Sequence, residues 1–518
     1  MCLIRASGYE LQMVEAVAAK TSFRHVSCTT GFITCYDIIV VGLGKDPLRH
    51  SSPRRVPTIT RHYCTTKLMP IVFKQFAFCI LISVLFNAAA NSTLGDESSP
   101  TAADYPSLQA AVDANPGKTI NVPSGNYLLS ETLDISADNT ALRGAGRLIQ
   151  QNPDAAVVRI HDCQQVRLQG LTLTRSEEKY NATEAAIEVS EVEHVVLQDL
   201  HVLNNCARNG AITVQECRHA DVRDCFVENY SLIAVDDRTT GNDGKLYGYA
   251  FNCIDGTGIV VNRSRDVLIR GNRVIENRLK ATPEMKSKHQ LGDFVKRNEQ
   301  RGELVSARTW QEGYVNNWHQ GSAIIVTSPE ESRYIRVVDN YIENAAQGID
   351  VHADHVTING NTVVNAFVGM KAMHGSRYTL VTNNHFSKSV LWAIGLMPGS
   401  TSKTGNEDGD SIIANNIISE FGYGDAAWIW PPEHHTCVPI KLERGQLASN
   451  PPLRNVIVTG NVISQAYLDD DATASSDNAL PPRYKWALLI DKGAGAPENV
   501  VVSNDNQFPP GTDGVTNE

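Results

Sequence analysis

GIDVHADHVTINGNTVVNAFVGMKAMHGSRYTLVTNN, residues 348–384, contains the same short passage twice. Each copy opens on a small residue followed by apolar, variable and apolar positions: Gly348-Ile349-Asp350-Val351, then Gly369-Met370-Lys371-Ala372. Each runs through a second alternating stretch and closes on a bend-tolerant pair, Gly360-Asn361 and then Asn383-Asn384. Alternation at period two is the signature of a strand. Gly, Asn and Asp accept the left-handed backbone that a bend requires.

The unit extends in both directions. Matching opening strands start at Ala186 (AIEVS), Ala211 (AITVQ), Gly258 (GIVVN), Ala323 (AIIVT), Ala393 (AIGLM), Pro439 (PIKLE) and Ala487 (ALLID). Matching turns are Gly170-Leu171, Asp199-Leu200, Asp224-Cys225, Gly271-Asn272, Asp339-Asn340, Asn415-Asn416, Gly460-Asn461 and Asp505-Asn506. The tightest spacings are 21 residues (339 to 360), 23 (360 to 383) and 25 (199 to 224). A period of about 22 residues with two or three short strands describes a parallel β-solenoid. The fold class is therefore all-β: a right-handed parallel β-helix of about ten or more coils, each rung about 4.8 Å above the last. Positions two and four of the opening strands stack as core, positions three and five face outward, and the turn asparagines form an amide ladder. Leucine-rich repeats are excluded by the absence of their L-x-x-L-x-L consensus, and propellers by the period. Before the coils, Tyr105–Asn115 places Leu108, Ala111 and Val112 on one helical face, a short capping helix over the open end of the core.

The remaining organisation follows from composition. The chain has 518 residues, 42% of them hydrophobic, and a net charge of −11, which argues against a nucleic-acid partner. Residues 1–68 carry nine Lys/Arg and four Asp/Glu and read as an upstream extension. Met69–Ala90 reads as a signal peptide: Lys74, an apolar run Phe76–Phe86 too short to span a bilayer, then Ala88-x-Ala90. Residues 91–103 read as a linker and 104–518 as the β-helix. This predicts a secreted or periplasmic monomer with no membrane partner. With the prefix removed, residues 91–518 carry −17. Six cysteines remain (Cys163, Cys206, Cys217, Cys225, Cys253, Cys437), without metal-binding pairs, and core packing is their expected role.

Three insertions interrupt the coils, at 278–320, 421–438 and 465–486. The first carries eight Lys/Arg and five Asp/Glu against the acidic background and ends in Trp310, Tyr314, Trp318 and His319. Long insertions in compact domains are usually functional walls, and local positive charge attracts an anionic ligand. The second offers Trp428, Trp430 and the pair His434-His435, which alone is weak evidence for a metal. The third contains Asp469-Asp470-Asp471, where Ca2+ is possible and an acidic solvated loop is the plainer reading. No metal site is assigned.

The outward positions hold the candidate chemistry. Position three reads Val260, Ile325, Asp350, Lys371, Gly395, Lys441 down the stack, and position five reads Asn262, Thr327, His352, Met373, Met397, Glu443. Ionisable groups concentrate at Asp350, His352 and Lys371, with His374 and Arg377 just after. An ordinary solvated Asp–Lys pair is the competing reading, and such pairs are common.

The stretch Asp104–Leu129 (DYPSLQAAVDANPGKTINVPSGNYLL), followed by G-[IA]-x-V coils with G-N and N-N turns, resembles the pectin-lyase-like superfamily of secreted β-helix carbohydrate enzymes. The resemblance implies polysaccharide chemistry without specifying the reaction. The residue kinds resemble β-helix alginate lyases, which use a Lys and an Arg on neighbouring coils. Asp350-Val351-His352 resembles the Asp-Pro-His run of mannuronan C5-epimerases, with Val351 in place of the proline and Lys371 where that pattern favours an acid. The departure tilts the expectation toward a lyase. The expectation is β-elimination on a uronate-containing anionic polysaccharide: Lys371 as base, His352 as acid or carboxylate neutraliser, Asp350 tuning them, and Arg377 binding the carboxylate. His374, Lys441 and the insertion aromatics would bind substrate. An epimerase, a hydrolase and a non-catalytic adhesin are the alternatives. Asp236-Asp237 is the candidate hydrolase pair, without the G-H-G or R-I-K runs that should accompany it.

Overall fold

In the computed structural model the described residues are 99–207, 209–233, 254–278, 321–397, 407–421, 437–444, 450–464, 484, 486–492, 495–508 and 514–516. Readings placed on residues 1–98, on 279–320, on 422–436, on 465–483 and on Asp236-Asp237 lie outside them, as does Cys253. Among the described residues no helix is long and apolar enough to cross a membrane.

The chain winds into parallel coils with three strand-bearing faces. The opening strands form one twelve-stranded parallel sheet, running from Leu133–Ile135 through Ile187–Ser190, Ile259–Asn262, Gln347–Val351, Val368–Ala372 and Val438–Glu443 to Val515–Thr516. The strands on either side of the turn pairs form the other two faces, joined through the long strands Thr119–Leu129 and Ala141–Gln150 of the first coils. Strands repeat in register, Ile349 beside Met370, Met370 beside Ile394 and Ile394 beside Ile440. As expected, positions two and four are core: Ile187, Ile212, Ile259, Ile324, Ile349, Met370, Ile394 and Ile440 are completely buried. Each such side chain contributes roughly 1.5–3 kcal/mol as an upper estimate. β-Branched residues suit this use because they are stiff and pack well on a pleated surface.

The helix is Leu108–Ala114, shorter than the sequence-derived span, with Ser107 Oγ accepting from the Ala110 N–H at 3.1 Å as its N-cap. Leu108, Ala111 and Val112 are its buried face and join the core cluster.

The turn column behaves as its composition implies. Asp199, Asp224, Asp339, Asn383 and Asn415, with Gly170, Gly271, Gly360 and Gly460, all have positive φ. At Gly360 (φ +70°) an added Cβ would also run into the Asp339 carboxylate. The next residue forms the amide ladder. In each step from Asn272 through Asn340, Asn361, Asn384, Asn416 and Asn461 to Asn506, both the backbone N–H and the Nδ2 of one asparagine donate to Oδ1 of the next, at 2.9–3.0 Å. The ladder starts only at Asn272. In earlier coils Leu171, Leu200 and Cys225 fill the same column apolarly. Cys163, Cys206, Cys217, Cys225 and Cys437 are all buried, in keeping with packing roles.

Candidate active site

The strand register sets Asp350 beside Ile325 on one side and Lys371 on the other, then Gly395 beside Lys371 and Lys441 beside Gly395. Alternation points these positions outward, yet Asp350 is only 4% exposed. Lys371 Nζ lies 3.4 Å from its Oδ2, and His352 Nε2 lies 3.0 Å from its Oδ1. The His352 contact is close but off the line that a hydrogen bond needs, so Oδ1 and Nε2 are both buried without a hydrogen-bond partner. Burial by itself would raise the Asp350 carboxyl. The facing His352 and Lys371 outweigh it and hold Asp350 well below the usual carboxylate range. The result is a desolvated carboxylate, a lysine in an ion pair with it, and an imidazole with an unsatisfied nitrogen.

A second imidazole completes the group through a backbone device that strand alternation does not reveal. The strand ends at Ala372, and His374 takes a left-handed conformation (φ 62°). That conformation brings its ring edge-on to His352, with centroids 4.7 Å apart and planes at 89°. Non-glycine residues pay on the order of 1–2 kcal/mol for such a backbone, so the turn must be held. Asp408 holds it: its buried carboxylate accepts from the Gly375 N–H at 3.1 Å and from the Ser376 N–H at 2.9 Å. Burial pushes the Asp408 carboxyl up to about 7 despite those two donors. Burial also pushes His374 down to about 3, helped by the positive charge of His352 and Lys371. His374 is therefore uncharged near neutrality.

Two sequence-derived positions fall differently. Arg377 does not join Asp350. It begins the neighbouring face, where it donates to Asp354 Oδ2 at 3.0 Å and lies 3.5 Å from Glu407. The Asp354 bond raises its pKa, and the arginine braces the corner of the coil. The reason is geometric: the bend at His374–Ser376 turns the chain before Arg377 is reached. Lys441 does sit in the outward column, but its charge is already matched by Glu443 at 2.9 Å, with Asp491 at 3.6 Å. Trp392 is a residue that sequence reading missed. It starts a strand, where alternation would assign it to the core, but its ring lies against Gly395 and 5.1 Å from Lys441 Nζ. The pairing of an aromatic with a glycine three residues later, at a rung flanked by lysines, was the available signal. Trp310, Tyr314, Trp318, His319, Trp428 and Trp430 lie outside the described residues.

Glu193, His194 and His219 lie close enough to share a metal ion on an exposed corner. The two imidazoles are stacked within 11° of parallel, so their in-plane lone pairs do not converge, and His219 is already bonded to Asp266 at 2.7 Å. This corner reads as a stacked surface column.

Comparison with known proteins agrees with the coil architecture. Residues 156–386 match the family model described as a right-handed beta helix region. No curated protein sequence matches the chain. Among solved structures, the Dettilon tailspike protein is similar at 10% identity and a TM-score of 0.47, over 79% of this chain and 63% of that one; the chain thus spans less than two thirds of the tailspike's length. A family 28 exopolygalacturonase from Yersinia enterocolitica aligns at 12% identity and 0.48, over 81% of this chain and 77% of that one. An alginate lyase solved in complex with G6 aligns at 12% and 0.41, over 82% and 89%. Likeness at this level concerns the fold alone. With the matched region at its centre and the same three-faced coils continuing on both sides of it, the fold of the chain is a right-handed parallel β-helix.

Proposed function

We propose that the protein is an exported polysaccharide lyase that cleaves a uronate-containing anionic glycan by β-elimination at the Asp350–His352–Lys371–His374 group. The observation that carries this reading is the desolvated Asp350 carboxylate with a lysine and an imidazole against it and a second, uncharged imidazole beside the first. β-Elimination needs the uronate carboxylate neutralised, a base for the C5 proton and an acid for the leaving O4. Lys371, tied to Asp350, is better placed to neutralise charge than to accept a proton. His374 takes the C5 proton, the C5–H electrons form the C4=C5 bond, the C4–O4 bond breaks, and His352 donates its proton to O4. An incoming carboxylate offsets the positive charge of His352 and Lys371 that helps hold His374 down, so substrate binding raises its basicity. Among the described residues the group contains one carboxylate, whereas a glycoside hydrolase ordinarily needs two. This favours elimination over hydrolysis.

The experiment is incubation of the protein with alginate, pectate and glucuronate-rich glycans while following the ultraviolet absorbance of unsaturated uronate. A rise that Lys371→Ala and His374→Ala abolish supports the lyase. Exchange of the C5 proton without that absorbance assigns an epimerase, and new reducing ends without it assign a hydrolase. Binding with no chemistry assigns an adhesin.

A further inference from the structure

The outward column is chemically different at its two ends, and Gly395 marks the division. Toward the N-terminal side, Asp350 faces Lys371 and two imidazoles, an end with proton donors and a surplus of basic groups. Toward the C-terminal side, the Lys441 ammonium is balanced by Glu443 at 2.9 Å. Between them the Gly395 rung carries no side chain. A Cβ there would sit 3.4 Å from Trp392 Cε3 and 3.1 Å from the Met397 methyl, so the indole occupies the space that a longer side chain would fill. Trp392 is half-buried, and the buried Lys441 places its Nζ over one face of the indole, 5.1 Å from the ring centroid. One rung, about 4.8 Å, separates Lys371 from this platform.

An aromatic face beside a lysine–glutamate pair suits a neutral sugar. The C–H face of the ring packs on the indole, the ammonium donates to a hydroxyl and the carboxylate accepts from another. A second uronate there would set its carboxylate against Glu443 and Asp491, the two carboxylates that already match Lys441. We propose that Trp392, Lys441 and Glu443 form a neutral-sugar subsite adjoining the uronate position, and that the substrate is a heteropolysaccharide in which uronate is joined to a neutral sugar. This rests on the lyase reading for the uronate position and goes beyond it in naming the neighbouring residue of the glycan.

The test uses the full chain and two probes: a homopolyuronate, and a glycan of alternating glucuronate and neutral hexose. Unsaturated product is expected to form at least about tenfold faster, in kcat/KM, from the alternating glycan. Trp392→Ala should lower that value about tenfold, mostly through KM, and Trp392→Phe should recover most of it. Glu443→Gln leaves Lys441 unmatched and should move the preference several-fold toward the homopolyuronate. The same preferences are read without chemistry by calorimetric binding of oligosaccharides to His374→Ala protein, which keeps the Lys371 that receives the uronate carboxylate. Product from the homopolyuronate at equal or greater rate, with Trp392→Ala indifferent, overturns the subsite and leaves the lyase standing. Selective binding of the alternating oligosaccharide, lost in Trp392→Ala but with no unsaturated product from any glycan, upholds the subsite and overturns the lyase. Calorimetric preference for the homopolyuronate, or binding insensitive to Trp392, overturns the subsite whatever the chemistry.

Discussion

Two opposite-charge pairs occupy the same outward column of the same sheet. Near the N-terminal end Arg159 stands beside Glu188, with Nε 2.8 Å from the carboxylate, and five rungs along the sheet Asp350 stands beside Lys371. Their side chains are 42% and 21% exposed in the first pair, 14% and 6% in the second. The first pair lives in high dielectric, where attraction between charges is largely spent against water and worth about 0–1 kcal/mol. The second has lost its water, so each partner depends on the other, and the field of the pair reaches the imidazoles nearby. The column position does not create chemistry; desolvation at one place along it does.

Substitutions separate the two settings. The largest effect expected is on activity: Lys371→Met should lower the rate of unsaturated-product formation by about 10³-fold or more, and Arg159→Ala should leave that rate within twofold. Next is stability. Lys371→Met strands a buried carboxylate and should cost about 3–5 kcal/mol in urea unfolding. The double variant Asp350→Asn/Lys371→Met removes the stranded charge and should regain most of that stability while staying inactive. If it stays as unstable as the single variant, unpaired charge is not the cause. Asn361→Ala, an uncharged break in the same coils, should cost about 1–3 kcal/mol, because it leaves the buried N–H of Asn340 and one of its two Nδ2 hydrogens without their acceptor, while the other still reaches the Ile269 carbonyl.

Titration sharpens the contrast further. His374 binds its proton only near pH 3 in the folded protein against 6.5 ordinarily, so the unfolded chain holds the extra proton between those values and stability falls as pH drops through them. Asp408 acts in the opposite sense. Its folded value of about 7 against 3.8 means that the folded protein holds the extra proton, and stability falls as pH rises from about 4 to 7. Asp408→Asn, whose amide oxygen still accepts from both backbone donors, should therefore gain stability relative to wild type as pH rises from 4.5 to 8. His374→Asn should gain as pH falls. Melting temperatures across that range check both, and parallel curves for variant and wild type would remove the assigned shifts. The smallest effect is Arg159→Ala, at most about 1 kcal/mol and diminishing with salt.

The coil architecture was legible because each level repeats one rule: apolar positions at two and four, a left-handed residue at the bend, an asparagine after it. A rule stated many times along the chain survives local exceptions such as Leu171, Leu200 and Cys225 at the start of the asparagine column. The neighbourhood of Asp350, His352 and Lys371 was legible for the same reason, since strand register converts sequence position into spatial adjacency. What alternation could not supply was the place where it stops. His374 enters the site, and Arg377 leaves it, because one left-handed residue and a clamp from Asp408, 34 positions further on, break the strand pattern. Trp392 was missed because alternation assigns it to the core, while the empty rung at Gly395 lets its ring lie on the outer face. Sequence by itself thus determined the coil, its register and which charges are neighbours, because these follow from short-range periodicity. Tertiary structure alone decided which neighbours are dry, which lysine is already matched and where the second histidine points, because desolvation and turn geometry depend on residues that are distant along the chain.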